Sequence, residues 1–476
     1  METLENIVAS VSGVLSDYVL VTLLLIAALW FTFRTRGVQF RLFGEMCRLL
    51  ATSGKKSNDT RKNDEPAHGS ISSFQAFALS IASRVGTGNL AGVAIAISAG
   101  GPGAVFWMWM ISLLGAATAF VESTLAQLFK IKGKDSFIGG PAYYIQKGLH
   151  KYWWAVTFAI LITLTFGFAF CTVQANTMAD AFSNSFDIPR HATAAFLALL
   201  TLVIIWGGVQ SISRFSQWVV PFMAVGYILL ALIIICMNLH RFVDVMALIF
   251  ENAFGFNQVL GGTLGTAIIM GVKRGLFSNE AGEGSTPNAA ATASVTHPVK
   301  QGLVQALGVY TDTLLVCSAT AFIILCSGIY TGGGDGIILT QNAIDATLGN
   351  THHFGSIFVT VALFFFTFTS VIANYYYGEA NIRFIRNNES IINIYKLMVV
   401  AIVYVGAVMP LDLVWGFADI TMSLMTICNL AALVPLGKYA VICLQDYTSQ
   451  RRLGRNPVYH SSTIPSIAPE TTSWSD

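Results

Sequence analysis

Charge is what this chain has least of. Asp, Glu, Lys and Arg supply 11% of its residues, against about 25% in soluble domains. Apolar residues supply 54% and mean hydropathy is +0.63. Together these exclude a water-soluble globule and predict a polytopic membrane protein in contact with a lipid bilayer. The net charge of +2 comes without a basic tract interleaved with aromatics, so no nucleic-acid partner is expected. Cysteine is also sparse: seven residues, no CxxC pair, most of them inside apolar runs. They read as small buried hydrophobes, not as a disulfide or metal framework. No Lys or Arg precedes Arg34, so the run from Val19 to Phe33 lacks the basic start of a cleavable signal and reads as a span. No Ser/His/Asp or Cys/His set can be assembled at one membrane depth, which argues against an enzyme. His352-His353 has no partners at metal spacing. Gly332 to Gly336 has no phosphate-loop lysine and reads as a loop.

What is present is a series of apolar segments about 20 residues long, at 18–33, 71–99, 103–128, 153–179, 191–208, 216–238, 258–283, 302–326, 354–379, 393–410 and 415–440. These predict eleven transmembrane helices. Alternate loops carry 22 of the 27 basic residues, and the opposite set holds only Arg190 and Arg241. That asymmetry places the N-terminus outside and the C-terminus in the cytoplasm, as a multi-pass protein of the bacterial inner membrane. Leu42, Met46, Leu49 and Leu50 recur at helical spacing beside Arg41 and Arg48. The 34–50 stretch reads either as an amphipathic helix on the cytoplasmic leaflet or as a basic linker. Residues 446–476 are polar and proline-containing and read as a disordered cytoplasmic tail.

Two of the spans are broken. Ser83-Arg84-Val85-Gly86-Thr87-Gly88-Asn89 interrupts the first, and Gly271 to Gly284, reading GVKRGLFSNEAGEG, interrupts another. Broken helices at membrane depth persist only where protein or a water-filled cavity satisfies their backbone. If the first span is peripheral, the remaining ten divide into two five-helix units, and each unit opens with a broken helix. Units with odd counts insert in opposite senses, the architecture of a secondary transporter. The expected division is 1–70 for the N-terminus, peripheral helix and basic linker, 71–240 for unit one, 241–445 for unit two, and 446–476 for the tail.

A break offers free N–H groups to a carboxylate and free carbonyls to a small hard cation. Gly86 and Gly88 allow close approach to the backbone, with Thr87 and Asn89 adding polar groups. Phe277, Ser278 and Asn279 occupy the second break. Glu280 reads as a proton carrier, a gate or a brace, or equally as a carboxylate paired with Lys273 or Arg274. Gln174 is alone in an apolar span, as a ligand contact or as interhelical glue. Thr369 and Ser370 form a hydroxyl pair that suits sodium, unless each bonds back to its own helix.

At these motifs the chain resembles the alanine or glycine:cation symporter family. The resembling stretches run from Val85 to Ile111, Gly139 to Leu149, Gly275 to Ala290 and Phe368 to Ala380. The resemblance implies an all-α fold of eleven helices built as a five-plus-five inverted repeat with one extra N-terminal helix. It implies symport of a small amino acid, alanine- or glycine-like, with sodium as coupling ion, no other cofactor and no obligate protein partner. Val85-Gly86-Thr87-Gly88-Asn89 further resembles the V-G-x-G-N break of neurotransmitter:sodium symporters. By that match Thr87 and Gly88 hold the substrate carboxylate, and Ala82, Val85, Thr369 and Ser370 hold sodium. The remaining substrate contacts fall to Gln174, Phe277, Ser278, Asn279 and Asn374.

Two positions depart from the family pattern. Arg84 stands where a small residue is usual, and Asn374 where a tryptophan covers the substrate. A larger polar substrate such as glutamine, an anionic one meeting Arg84, and proton coupling through Glu280 or Asp312 are the alternatives. A passive channel or facilitator is a further alternative.

Overall fold

The computed structural model describes residues 2–53, 71–133, 136–206, 208–255, 264–332, 334–348 and 353–474. Among them, eight helices are long and apolar enough to cross a membrane: Glu5–Arg34, Gly103–Leu128, Tyr152–Phe186, Trp218–Met237, Pro298–Ser327, Phe354–Ile385, Glu389–Val408 and Leu411–Arg452. Gly88–Gly100 and Arg190–Ile205 are shorter apolar helices. The start of the expected 258–283 span, and residues 54–70 of the basic linker, lie outside the described residues.

The first broken span is two helices. Ser73–Arg84 begins with a capping box in which Ser72 and Gln75 each satisfy the other's backbone amide. It ends at Val85, which is extended at φ −81°, ψ 93°. The chain then restarts as a π-helical turn, Gly88–Gly92, continuing into Val93–Gly100. The second broken span ends its first half, Leu264–Asn279, at Glu280. Glu280 is left-handed at φ 56°, and Gly282 and Gly284 follow at φ 96° and 84°. Such angles favour glycine and are costly for glutamate. A short helix, Thr286–Ala291, resumes the chain. The two broken spans meet again at their far ends, where Ile71 bridges Ala293 and its carbonyl accepts from the Ser294 amide at 3.0 Å.

Two expectations need correction. The first span does not start at residue 18: the chain is helical from Glu2. This span, expected to stand outside the two five-helix units, makes polar contacts with the rest of the chain. Ser16 bonds the carbonyl of Asp419 and the hydroxyl of Ser423, and Asp17 pairs with Lys273. The polar tail is not disordered. Trp474 is 2% exposed, its indole N–H donates to the carbonyl of Gln127 at 3.0 Å, and its ring lies edge-on to Tyr459. The Tyr459 amide donates to the Thr296 carbonyl. A few buried aromatics fix a stretch whose average composition is polar. In the 34–50 stretch, Phe43–Thr52 is a helix that buries Met46 and Leu49, packed against Pro298–Tyr310. The amphipathic reading holds over the linker reading, and part of its apolar face is spent on protein.

Candidate functional site

The two breaks face each other. A Cβ built at Gly88 would lie 3.0 Å from the Phe277 ring and 3.1 Å from the Ser278 Cα. One built at Gly86 would lie 2.5 Å from the Ser370 Oγ and 2.8 Å from the Gln174 Oε1. Neither glycine has room for a side chain. On its Cβ side Gly88 packs against Phe277 and Ser278 of the second break.

Two backbone amides at the first break have specific side-chain partners. The Gly86 amide donates to Asn89 Oδ1 at 2.9 Å, and the Thr87 amide to Gln174 Oε1 at 3.0 Å. Asn89 in turn donates to Asp312 Oδ1 at 2.6 Å, and Ser278 donates to Asp312 Oδ2 at 2.8 Å. Asp312 sits in a π-helical segment, Thr311–Cys317, so two π turns meet through Asn89 and Asp312. Widened turns of this kind recur at functional sites. The Asp312 bridge joins both breaks, and nothing in the local pattern around residue 312 marks it beyond its being an acid within a span. Asn279 Oδ1 accepts from the Ala281 amide at 3.0 Å, so this side chain stabilises the break itself.

On the carbonyl side, Ser370 is central. Its hydroxyl lies 2.9 Å from the Ala82 carbonyl, 3.3 Å from that of Val85 and 2.9 Å from that of Phe366. Three carbonyl oxygens and one hydroxyl from two helices thus converge. Oxygen donors alone are what a hard monovalent cation takes. Thr369 behaves differently: its hydroxyl bonds the carbonyls of Phe365 and Phe366 in its own helix. Phe366 is a donor that the hydroxyl pair did not reveal.

Aromatic and amide side chains lie beside the two breaks. Phe277 packs between Phe170 and Trp415, with ring centroids 4.5 and 4.7 Å away. The Asn374 side-chain amide lies 2.9 Å from Ser83 Oγ, whose one proton goes to Glu280, so Asn374 is bonded through one amide atom and its other buried amide atom has no partner. The Thr87 hydroxyl is likewise buried and unpartnered. Unpaired buried polar groups are costly, and here two lie beside the same break.

Arg84 is engaged by protein groups. It is 1% exposed, and its guanidinium donates to the Gln305 carbonyl and the Thr286 hydroxyl. Glu280 accepts from Ser83 and Ser285, both at 2.5 Å, which favours the brace among its readings. It is not the partner of Lys273 or Arg274: those bond Asp17 and Asp419, and Arg274 also lies 4.5 Å over the Trp415 ring. The second break has a further brace that composition gave no sign of. Glu122 accepts the amides of Gly282 and Gly284 and the side chain of Asn429.

Comparison with known proteins identifies the family and the fold. A family model described as the sodium:alanine symporter family matches residues 1–461. The chain is 47% identical to a probable sodium/glutamine symporter, GlnT, of Bacillus subtilis (strain 168), over 97% of this chain and 95% of that one. It is 46% identical to the amino-acid carrier protein AlsT of the same organism, over 99% of each. Among solved structures, MhsT in complex with L-phenylalanine superposes with a TM-score of 0.53 at 12% identity, covering 83% of this chain and 91% of that one. At that identity the likeness shows the fold alone.

Proposed function

This chain belongs to the sodium:alanine symporter family, and from that premise we propose that it is a sodium-coupled importer of a small neutral amino acid. The single observation that carries the reading is the pair of facing breaks, where the Thr87 amide meets Gln174 and the Ala82 and Val85 carbonyls meet Ser370. The half-helix starting at Gly88 presents its positive end to a substrate α-carboxylate at Thr87 and Gly88. Gln174 now accepts the Thr87 amide, so the carboxylate takes over that bond as it enters. Sodium takes the carbonyls of Ala82, Val85 and Phe366 with the Ser370 hydroxyl, and Thr369 joins by rotating away from its own helix. Phe277, Ser278 and Asn279 form the far wall. Because substrate and sodium bind opposite ends of one short gap, each orders the backbone that the other needs. That gives coupling, which distinguishes a symporter from a passive channel.

In this reading the chain crosses the membrane eleven times, with units 71–240 and 241–445 in inverted relation and the N-terminus outside. The cytoplasmic side of a bacterial inner membrane faces the loops that hold 22 basic residues.

A second reading, glutamine as substrate, is favoured by the half-satisfied side-chain amide of Asn374. A buried amide group with one atom unpaired beside the break suits a substrate whose own side chain carries an amide. A similar relative is named as a probable sodium/glutamine symporter. The deciding experiment is a thermal-shift screen of purified protein against the twenty amino acids, in sodium and in potassium. Stabilisation by alanine or glycine only in sodium supports the first reading, and by glutamine only in sodium the second. Stabilisation that is identical in potassium would overturn sodium coupling.

A further inference from the structure

Two of the long helices end together on the basic face of the molecule, Glu5–Arg34 at Arg34 and Leu411–Arg452 at Arg452. Between their ends is a groove of about 290 Å³ whose lining includes Arg34, Arg36, Arg41, Arg452, Thr35 and Gln445. No carboxylate lines it. The adjoining hollow does contain one, Glu45, but that group is already engaged by Arg48, Arg451 and Tyr447. All four groove arginines are exposed. Arg34 lies 5.8 Å over the Trp30 ring. Among the described residues, none of the four forms an ion pair.

Four like charges around one hollow repel one another unless an anion joins them. A helix C-terminus favours a cation, which accounts for Arg34 and Arg452 and, at the end of the single turn Val38–Arg41, for Arg41. It does not account for Arg36, which lies between two helices. Arg36 is held in the left-handed region at φ 56°, followed by Gly37 at φ 63°. A strained arginine at the lip of the groove is a conformation that calls for a reason. The general excess of basic residues on cytoplasmic loops explains which face they occupy, not why four share a groove.

The surroundings identify the source of the anion. Phe33, Phe40 and Phe43 are exposed beside the arginines, Phe33 at 78%. Exposed aromatics at the end of a span belong at the level of lipid headgroups and upper acyl chains. Arginine forks match phosphate oxygens in pairs.

We propose that this groove is a binding site for the phosphate of an anionic phospholipid, with the acyl chains lying against Phe33 and Phe40. The shared chemistry is a phosphate anion, and the lipid is its source. The site is separate from the substrate gap and rests only on the chain spanning a membrane.

The test uses the full chain, purified and delipidated in neutral detergent, with dioleoylphosphatidylglycerol and dioleoylphosphatidylcholine as probes and native mass spectrometry to count retained lipid. The groove variant carries Arg34→Gln, Arg36→Gln, Arg41→Gln and Arg452→Gln. The control neutralises four other exposed cations, Lys132, Lys151, Arg386 and Lys438, each to Gln. Wild type and control should both favour phosphatidylglycerol, and the groove variant should lose at least about tenfold of that preference, given the contribution of each basic group near an anionic headgroup. Arg36→Gln alone should weaken it in the same direction, which keeps the test decisive if the fourfold variant misfolds. Equal loss in the control would overturn the proposal in favour of diffuse surface charge. Displacement of the lipid by millimolar inorganic phosphate, with equal retention of phosphatidylcholine, would overturn the lipid as source.

Discussion

The backbone amide of Thr87 donates to the side-chain oxygen of Gln174 at 3.0 Å. This is the donor that a substrate carboxylate needs, and a neutral amide oxygen is a weaker acceptor than a carboxylate. Gln174 therefore holds the amide in place and yields it. Replacing it with a near-isosteric anion reverses that balance. Gln174→Glu should weaken substrate binding at least about tenfold, since a charge-assisted bond must now be displaced and like charges meet. Substrate titration by thermal shift checks this, and unchanged affinity would move the carboxylate away from Thr87.

The hydroxyls of Thr369 and Ser370 should separate. Ser370 faces the carbonyls of Ala82 and Val85, while Thr369 bonds only its own helix. Ser370→Ala should raise the sodium concentration for half-maximal uptake by about tenfold, the worth of one lost polar contact. Thr369→Ala should raise it less. Sodium titration of uptake in proteoliposomes reads both, and a larger effect at Thr369 would show that its rotation, not the resting geometry, governs the ion.

Asn374 presents a half-satisfied amide and little bulk. Asn374→Trp should narrow transport toward alanine and glycine, because the ring fills space and removes the amide. Competition of labelled alanine uptake by glutamine should then fall. An unaltered substrate profile would remove residue 374 from the pocket.

At the tail, acidity should matter. His297 precedes the Pro298 helix and accepts from the Val299 amide through Nδ1 at 3.2 Å, while Nε2 faces Asp446 at 3.1 Å. Nδ1 must be unprotonated to accept. Burial lowers the pKa of His297 below its usual 6.5, against the opposing pull of Asp446. The folded state thus favours neutral imidazole. Its stabilising contribution is present above about pH 6.5 and is lost as pH falls through the lower folded-state value. The melting temperature of wild type should fall more steeply than that of His297→Asn between neutral and mildly acidic pH. Parallel slopes would assign the pH response to other groups.

The reach of the sequence follows from the range of the forces involved. Apolar run length, the distribution of Lys and Arg, and glycines within a span act locally or through the bilayer. Both breaks were therefore legible from Gly86-Thr87-Gly88 and from Glu280 to Gly284, and the 34–50 helix from the spacing of Met46 and Leu49. Family resemblance extended this to the nearness of Ser370 to the carbonyls of Ala82 and Val85. Choice of partner is a different matter, because a buried polar group bonds whatever the packing brings within about 3 Å. Only the tertiary structure gave Gln174 to Thr87, Asp312 to Asn89 and Ser278, Glu122 to the amides of Gly282 and Gly284, and Asp17 and Asp419 to Lys273 and Arg274. It also turned Arg84 away from the pocket and docked a polar tail through Tyr459 and Trp474. Composition averages over a segment, whereas docking depends on two rings meeting a surface assembled from residues more than a hundred positions away.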